Sequence, residues 1–266
     1  MYTYKHVIIV GIDGAGMFYR NADTPTISSI AEKGAITDMC LTAIPTDSAQ
    51  CWGSMLMGVT CRLHGLHNDK LSESPVTLAT EEHPTLYRMI RKAYPDAVMG
   101  CFSNWRPIIT GLLDDDRTAT ATCDDEELCD RICTYIKSEK PNFLFIQLDS
   151  VDGAGHAHGY GSERHLRQIS ICDEYTGRIY KAAEEAGMIE DTLFIVTTDH
   201  GGYGCGHGTD TDEEKWIFVA LDGKTVNHTR IPFMQVKDIP AIVTHALGVP
   251  DDPNWQSCLP EGLFAE

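Results

Sequence analysis

The sequence predicts an α/β fold, a largely parallel central sheet sandwiched by helices, within a single domain spanning 1–266. Two observations carry this. Short, nearly continuous apolar runs at 7–10, 142–148, 192–197 and 216–221 have the length of strands, and their lack of alternation marks strands buried on both faces. Longer amphipathic segments separate them, and such alternation is the pattern of parallel strands joined by crossover helices. With 266 residues and 42% hydrophobic composition, the chain has material for a full core, which excludes a disordered protein.

Taken in order, residues 7–10 form the first buried strand. Thr24 and Pro25 open a helix that runs to Lys33 and stops at Gly34. Residues 48–58 read as a helix with Ala49, Trp52, Met55 and Leu56 on its apolar side. A further helix follows His83, Pro84 and Thr85, and 97–102 is a short buried strand. Residues 124–137 read as a helix whose acidic start suits the helix dipole. The strand at 142–148 precedes a long amphipathic helix over 162–186, stopped by Gly187. Strands at 192–197 and 216–221 follow, then a last helix within 235–247, broken near Pro240. Residues 60–125 are the least periodic and are expected to supply a small lid or subdomain. Repeats and low-complexity linkers are absent.

Lys+Arg number 21 against 39 Asp+Glu, a net charge of −18. So acidic a chain is a poor partner for nucleic acid polymers or anionic membranes. An anionic substrate would need a local source of positive charge. The ten cysteines form no C-x-x-C pair, which argues against a zinc ribbon or a redox dithiol motif. The N-terminal residues lack a signal-peptide pattern, and no stretch has the length of a membrane span. A reduced, cytoplasmic protein is the expectation; the oligomeric state is left open.

In open α/β sheets, ligands bind beyond the carboxyl ends of the strands. Asp13 follows the first strand, Asp152 and His156 follow the strand at 142–148, and Asp199, His200 and His207 follow the strand at 192–197. Glycines surround each group and allow turns that point side chains inward. A single Asp in such a place is usually a cap or turn former, and a single His a satisfied core or surface residue. Six together are harder to dismiss. Asp and His bind divalent transition metals, and six donors exceed what one tetrahedral zinc needs. Two closely spaced ions would use them all, as in sites that carry out in-line displacement at phosphorus. Ser48 sits at a predicted helix N-terminus, where free N–H groups favour an alkoxide or phosphate. The segment Gly11–Gly16 reads G-x-x-G-x-G and not G-x-G-x-x-G, so a dinucleotide site is disfavoured.

The ordered set Asp13, Pro45-Thr46-Asp47-Ser48, Asp152-Gly-Ala-Gly-His156, Asp199-His200-Gly201 and Gly206-His207-Gly208 resembles the alkaline phosphatase superfamily. It is most similar to its type I phosphodiesterase/nucleotide pyrophosphatase branch. The resemblance runs from about Val7 to the last helix. It implies that Asp13, Ser48, Asp199 and His200 hold one metal and Asp152, His156 and His207 the other. Zinc is the default and manganese is also accommodated. It further implies Ser48 as nucleophile, a covalent seryl intermediate, and a small phosphorylated substrate with a phosphodiester or nucleotide pyrophosphate bond.

There are departures. The resemblance implies an Asn that donates to a phosphate oxygen, expected three residues after the nucleophile, where Cys51 stands; a thiol is a weak donor. Cys51 and Trp105 are the candidate substrate contacts. The Cys/Ser-x-Pro-x-Arg pattern of sulfatases is absent at Ser48. A phosphomonoesterase or phosphonate hydrolase is the alternative within the superfamily. A metal-binding homologue without turnover is the alternative outside enzymes, and the coexistence of Ser48 with six ligands argues against it.

Overall fold

The computed structural model of the protein describes residues 4–73, 77–80 and 82–265. Its strands are β1 (His6–Ile12), β2 (Ala35–Leu41), β3 (Met99–Ser103), β4 (Ala119–Ala121), β5 (Phe143–Leu148), β6 (Thr192–Thr197), β7 (Trp216–Asp222), β8 (Thr229–Arg230) and β9 (Met234–Gln235). Its α-helices are α1 (Pro25–Lys33), α2 (Ser48–Met57), α3 (Cys61–His64), α4 (Asn68–Glu73), α5 (Leu86–Ala93), α6 (Asp125–Glu139), α7 (Ser150–His158), α8 (Glu163–Glu185), α9 (Asp212–Lys215) and α10 (Ile239–Leu247).

Among the described residues the strands form one mixed sheet in the order β4-β3-β5-β1-β6-β7-β2-β8, with β9 also on β2. From β4 through β6 every pairing is parallel, while β7 runs antiparallel to β6 and β2. The carboxyl ends of β3, β5, β1 and β6 therefore share one edge. Side chains alternate across the sheet as the pleat requires. Val7 and Ile9 of β1 join Phe143, Phe145, Leu193 and Ile195 in a core with α2, α5 and α10. Ile8, Val10 and Ile12 face the other way, with Leu144, Ile146, Phe194 and the apolar sides of α1, α6 and α8. Each of these fully buried side chains contributes roughly 1.5–3 kcal/mol of transfer free energy.

Several sequence expectations change in detail. Thr24 makes no capping bond; the first amides of α1, Thr26 N and Ile27 N, donate to the Asp173 carboxylate on α8, each at 2.9 Å. Pro240 lies in the first turn of α10, where its missing N–H costs nothing, so it starts the helix and does not break it. Ala35–Leu41 is an unanticipated strand, its apolar pattern interrupted by Thr37 and Asp38; pairing with β7 supplies what the pattern lacks. The glycine-rich text around Asp152 is helix α7 and not a loop. Asp125, the first residue of α6, accepts from Asp149 N and Ser150 N and caps its start.

Much of the stretch 60–125 belongs to the main sheet and core. It supplies β3, β4 and the buried Leu86, Tyr87 and Ile90 of α5, while α3 and α4 pack on α2. Residues 74–76 and 81 of that stretch, and residues 1–3, lie outside the described residues. All ten cysteines are free, and among the described residues no helix is long and apolar enough to cross a membrane.

Candidate metal centre

The shared strand edge brings together Asp13, Ser48, Asp152, His156, Asp199, His200 and His207. Asp13 continues β1, its N–H donating to Leu148 O at 2.8 Å. One carboxylate oxygen, Oδ2, accepts from Trp52 Nε1 at 2.9 Å and from Gln147 Nε2 at 2.8 Å. The other, Oδ1, is buried with no hydrogen-bond partner, 3.5 Å from His200 Nε2. Asp199 repeats the pattern. Its Oδ1 accepts from Gly14 N and His200 N, while Oδ2 is buried without a hydrogen-bond donor, 3.3 Å from the same His200 Nε2. Ser48 Oγ approaches that nitrogen at 3.1 Å. Four donor atoms thus converge on one point.

Ser48 is free to do this because it is not the helix cap. Asp47 occupies the cap position of α2 and Ser48 is the first helical residue. Its Oγ is available to the cleft, beside the N-terminal amides of the helix.

The second cluster is built on α7 and the loop after β6. Asp152 and His156 stand four residues apart on one helix face, with Asp152 Oδ2 3.2 Å from His156 Nε2. His207 brings its Nε2 to 3.2 Å from that of His156 and 3.7 Å from Asp152 Oδ1. The rings of His200 and His207 stack with centroids 3.9 Å apart, so the two clusters adjoin. The compact donor groups are Asp13, Asp199 and His200, and Asp152, His200 and His207; His156 stands outside both, its Nε2 3.2 Å from Asp152 Oδ2 and from His207 Nε2.

The three histidines share one arrangement. Nδ1 of His156, His200 and His207 lies 2.8–2.9 Å from the carbonyls of Cys205, Gly201 and Thr46 respectively. Each ring thus engages Nδ1 with a carbonyl and turns Nε2 into the cleft, the orientation a metal ligand needs; with no ion bound, the hydrogen bond to Asp152 raises His156 to about 9 and keeps a proton on that ring. Thr46 also ties the two halves together: its hydroxyl accepts from Gly208 N and donates to Glu214 Oε2 at 2.5 Å.

The electrostatics point the same way. Burial and the neighbouring Asp199 and Asp152 charges push the Asp13 carboxyl well above its ordinary range. Burial and the charge of Asp152 likewise raise Asp199. Burial alone would raise Asp152 too, but the hydrogen bond with His156 and the charges of His200 and His207 bring it below its usual value. Burial lowers His200 and His207. Among the described residues, the ion-pair partners of these three carboxylates are histidines, never Lys or Arg. Three clustered carboxylates, two with an orphaned buried oxygen, fit divalent cations by donor type and by the charge they lack.

The candidate substrate contacts fare differently. Cys51 is fully buried, and its thiol faces the Ala43 carbonyl at 3.8 Å. Burial and the nearby Asp199 charge push the thiol well above its ordinary range. Trp105 packs its ring on the α2-side core; its N–H donates to Gln147 Oε1 at 2.9 Å. That bond ties it to Gln147, whose Nε2 in turn donates to Asp13.

A side-chain amide stands nearby on another helix. Asn68, the first residue of α4, accepts from Ala49 N through Oδ1 at 2.8 Å, which sets its side-chain amide beside Ser48. Sequence reasoning missed Asn68, Gln147 and the role of Trp52. Gln147 carried a readable signal, a polar residue inside an otherwise apolar strand. Trp52 is wholly buried, and its ring lies where a side chain on Gly11 would be, so only glycine there lets the indole reach Asp13.

The sequence model described as type I phosphodiesterase / nucleotide pyrophosphatase matches residues 7–213. Solved structures share the fold. Murine ectonucleotide pyrophosphatase/phosphodiesterase 5 is 15% identical with a TM-score of 0.79, covering 93% of this chain and 96% of that one. An inactive form of the same murine protein in complex with AMP is 14% identical with a TM-score of 0.80, covering 94% and 96%. A 2-O GAG sulfatase is 13% identical with a TM-score of 0.76, covering 96% of this chain and 73% of that one.

Proposed function

The chain belongs to the type I phosphodiesterase/nucleotide pyrophosphatase family of the alkaline phosphatase superfamily, phosphoester hydrolases; from that premise we propose that it hydrolyses small phosphodiesters or nucleotide pyrophosphate bonds through a covalent intermediate on Ser48. The observation that carries the reading is the convergence of Ser48 Oγ with His200 Nε2 and the two orphaned oxygens of Asp13 and Asp199.

Asp13, Ser48, Asp199 and His200 would hold one divalent ion, and Asp152, His156 and His207 a second. Zinc is the default, and a mixed Asp/His donor set also suits manganese. Bound there, the ions would supply the positive charge that makes a serine hydroxyl and a water acidic enough to react near neutral pH and that screens the phosphoryl oxygens. The chain's own groups do the rest. Ser48 Oγ attacks phosphorus, the P–O bond to the leaving group breaks, and a phosphoseryl ester forms; water then cleaves that ester and restores the hydroxyl. The N-terminal amides of α2 and the side-chain amide of Asn68 orient the non-bridging oxygens. The hydrogen bonds of Trp52 and Gln147 hold Asp13 in one rotamer.

The AMP complex of the murine relative favours a nucleotide as one side of the substrate. The net charge of −18 favours a small molecule over a nucleic acid polymer. The free thiols suit a reducing, cytoplasmic setting.

The test is turnover of an aryl phosphomonoester, a bis-aryl phosphodiester and a nucleotide aryl ester under matched metal conditions. The nucleotide ester should be fastest. Preference for the monoester would shift the assignment to a phosphomonoesterase; no turnover of any ester with metal bound would favour a non-catalytic homologue. Ser48→Ala should keep its metals and lose turnover by orders of magnitude. Equal turnover in that variant removes Ser48 as nucleophile.

A further inference from the structure

We infer that Tyr160 is the positioning residue of the second donor cluster, its phenol holding the Asp152 carboxylate while its ring sets the two histidines that share the cluster. The inference rests on the metal-dependent reading above and assigns a role to a residue outside the donor set.

Tyr160 O–H donates to Asp152 Oδ1. That fixes which oxygen is occupied and leaves Oδ2 directed at His156 Nε2. The ring meets His156 and His207 edge-on, with centroids 5.8 and 6.3 Å away and planes at 77° and 80°. One side chain thus touches all three donors of the cluster.

Tyr160 is itself held from every side. Its N–H donates to Gly204 O at 2.8 Å, tying it to the loop that carries His207. Its ring occupies a slot between Gly155 of α7 and Gly202 after β6, where a methyl group on either glycine would overlap it. Behind it lies the fully buried His165, ring centroids 5.1 Å apart. His165 is locked in turn: Nδ1 accepts from Gly161 N, and Nε2 lies 3.2 Å from Gly14 O, beside Asp13. The glycines around the site are thus partly explained as clearance for this phenol.

A donor that holds a ligating carboxylate sets its geometry before the ion arrives, and loss of such a partner typically costs 10–100-fold in metal affinity. Tyr160→Phe keeps the ring and removes only the hydroxyl. The experiment titrates metal-free wild type, Tyr160→Phe, Asp152→Asn and the double variant with zinc against a competing chelator, and follows thermal unfolding of each metal-free form. Wild type should bind two ions. Tyr160→Phe should weaken one of them about 10–100-fold, leave the other unchanged and unfold at the wild-type temperature. In the Asp152→Asn background the Tyr160→Phe change should have no further effect on metal affinity. Two ions held as tightly by Tyr160→Phe as by wild type would overturn the inference, as would an equal effect in the Asp152→Asn background, which would make the role structural. Fewer than two ions in wild type would instead overturn the two-metal reading on which it rests.

Discussion

Three histidines each commit one ring nitrogen to a main-chain carbonyl and present the other to a carboxylate-lined cleft. Which residues these are was legible in the sequence, because Asp and His at the ends of apolar runs, among glycines, have few other reasons to collect. The residues that hold them were not. Trp52, Gln147, Asn68 and Tyr160 act through bonds to partners between 8 and 134 positions away. Cys51 shows the converse: its sequence position suggested a phosphate contact, but it is fully buried with its thiol on the Ala43 carbonyl, while Asn68, from another helix, accepts from Ala49 N next to Ser48. Asn68→Ala should therefore lower kcat/KM by about 100-fold, the scale of losing one oriented donor to a developing oxyanion, while both metals stay bound. Steady-state kinetics with parallel metal analysis checks this. An unchanged kcat/KM would leave the phosphoryl oxygens to the metals and the α2 amides.

Among the elements, α7 is the largest departure from expectation. Its text, Ser-Val-Asp-Gly-Ala-Gly-His, has two glycines, each costing roughly 1 kcal/mol in a helix relative to alanine. Tertiary contacts outweigh that preference: Asp125 caps the first turn, and the Tyr160 ring needs the space at Gly155. The helix in turn puts Asp152 and His156 on one face, which a loop would not guarantee.

The short helix α3 carries a different consequence. His64 closes it beneath α2, where Nδ1 accepts from Leu66 N and the Nε2 proton faces Ser54 Oγ, both at 3.1 Å. Burial lowers its pKa to about 4, so it is neutral in the folded protein across most of the pH range. In the unfolded chain the same ring protonates near pH 6.5. Its contribution is thus fully present above about pH 6.5 and is lost as pH falls toward 4, by up to about 3 kcal/mol. His64→Gln should flatten the fall of the urea midpoint over that interval. An unaltered pH slope would place the acid sensitivity elsewhere.

For the whole molecule, −18 first posed the question of how so acidic a chain could attract an anion. Two divalent ions would bring about +4, leaving the protein near −14, yet they would make the cleft itself cationic against the carboxylates of Asp13, Asp152 and Asp199. The remaining acids lie mostly on the surface. The metal-free protein holds those three carboxylates close together, two of them raised by burial and mutual repulsion. Metal should therefore raise the unfolding temperature in a concentration-dependent way. The gain is about 2.7 kcal/mol per site at a free-ion concentration one hundred times Kd. Calorimetry across a zinc series would show it, and an unfolding temperature indifferent to zinc and manganese would argue against a preformed centre.

The sequence by itself determined the layering and the chemistry of the strand ends. Apolar runs of strand length must be buried on both faces, and a parallel sheet brings its carboxyl ends to one edge whatever the connecting loops do. It could not decide which oxygen of Asp13 is left without a donor, which nitrogen of each histidine faces the cleft, or which amide stands beside Ser48. Those depend on hydrogen bonds between residues far apart in the chain. Whether such bonds form is settled by packing, when α2, α7 and the loop after β6 close over the same sheet edge.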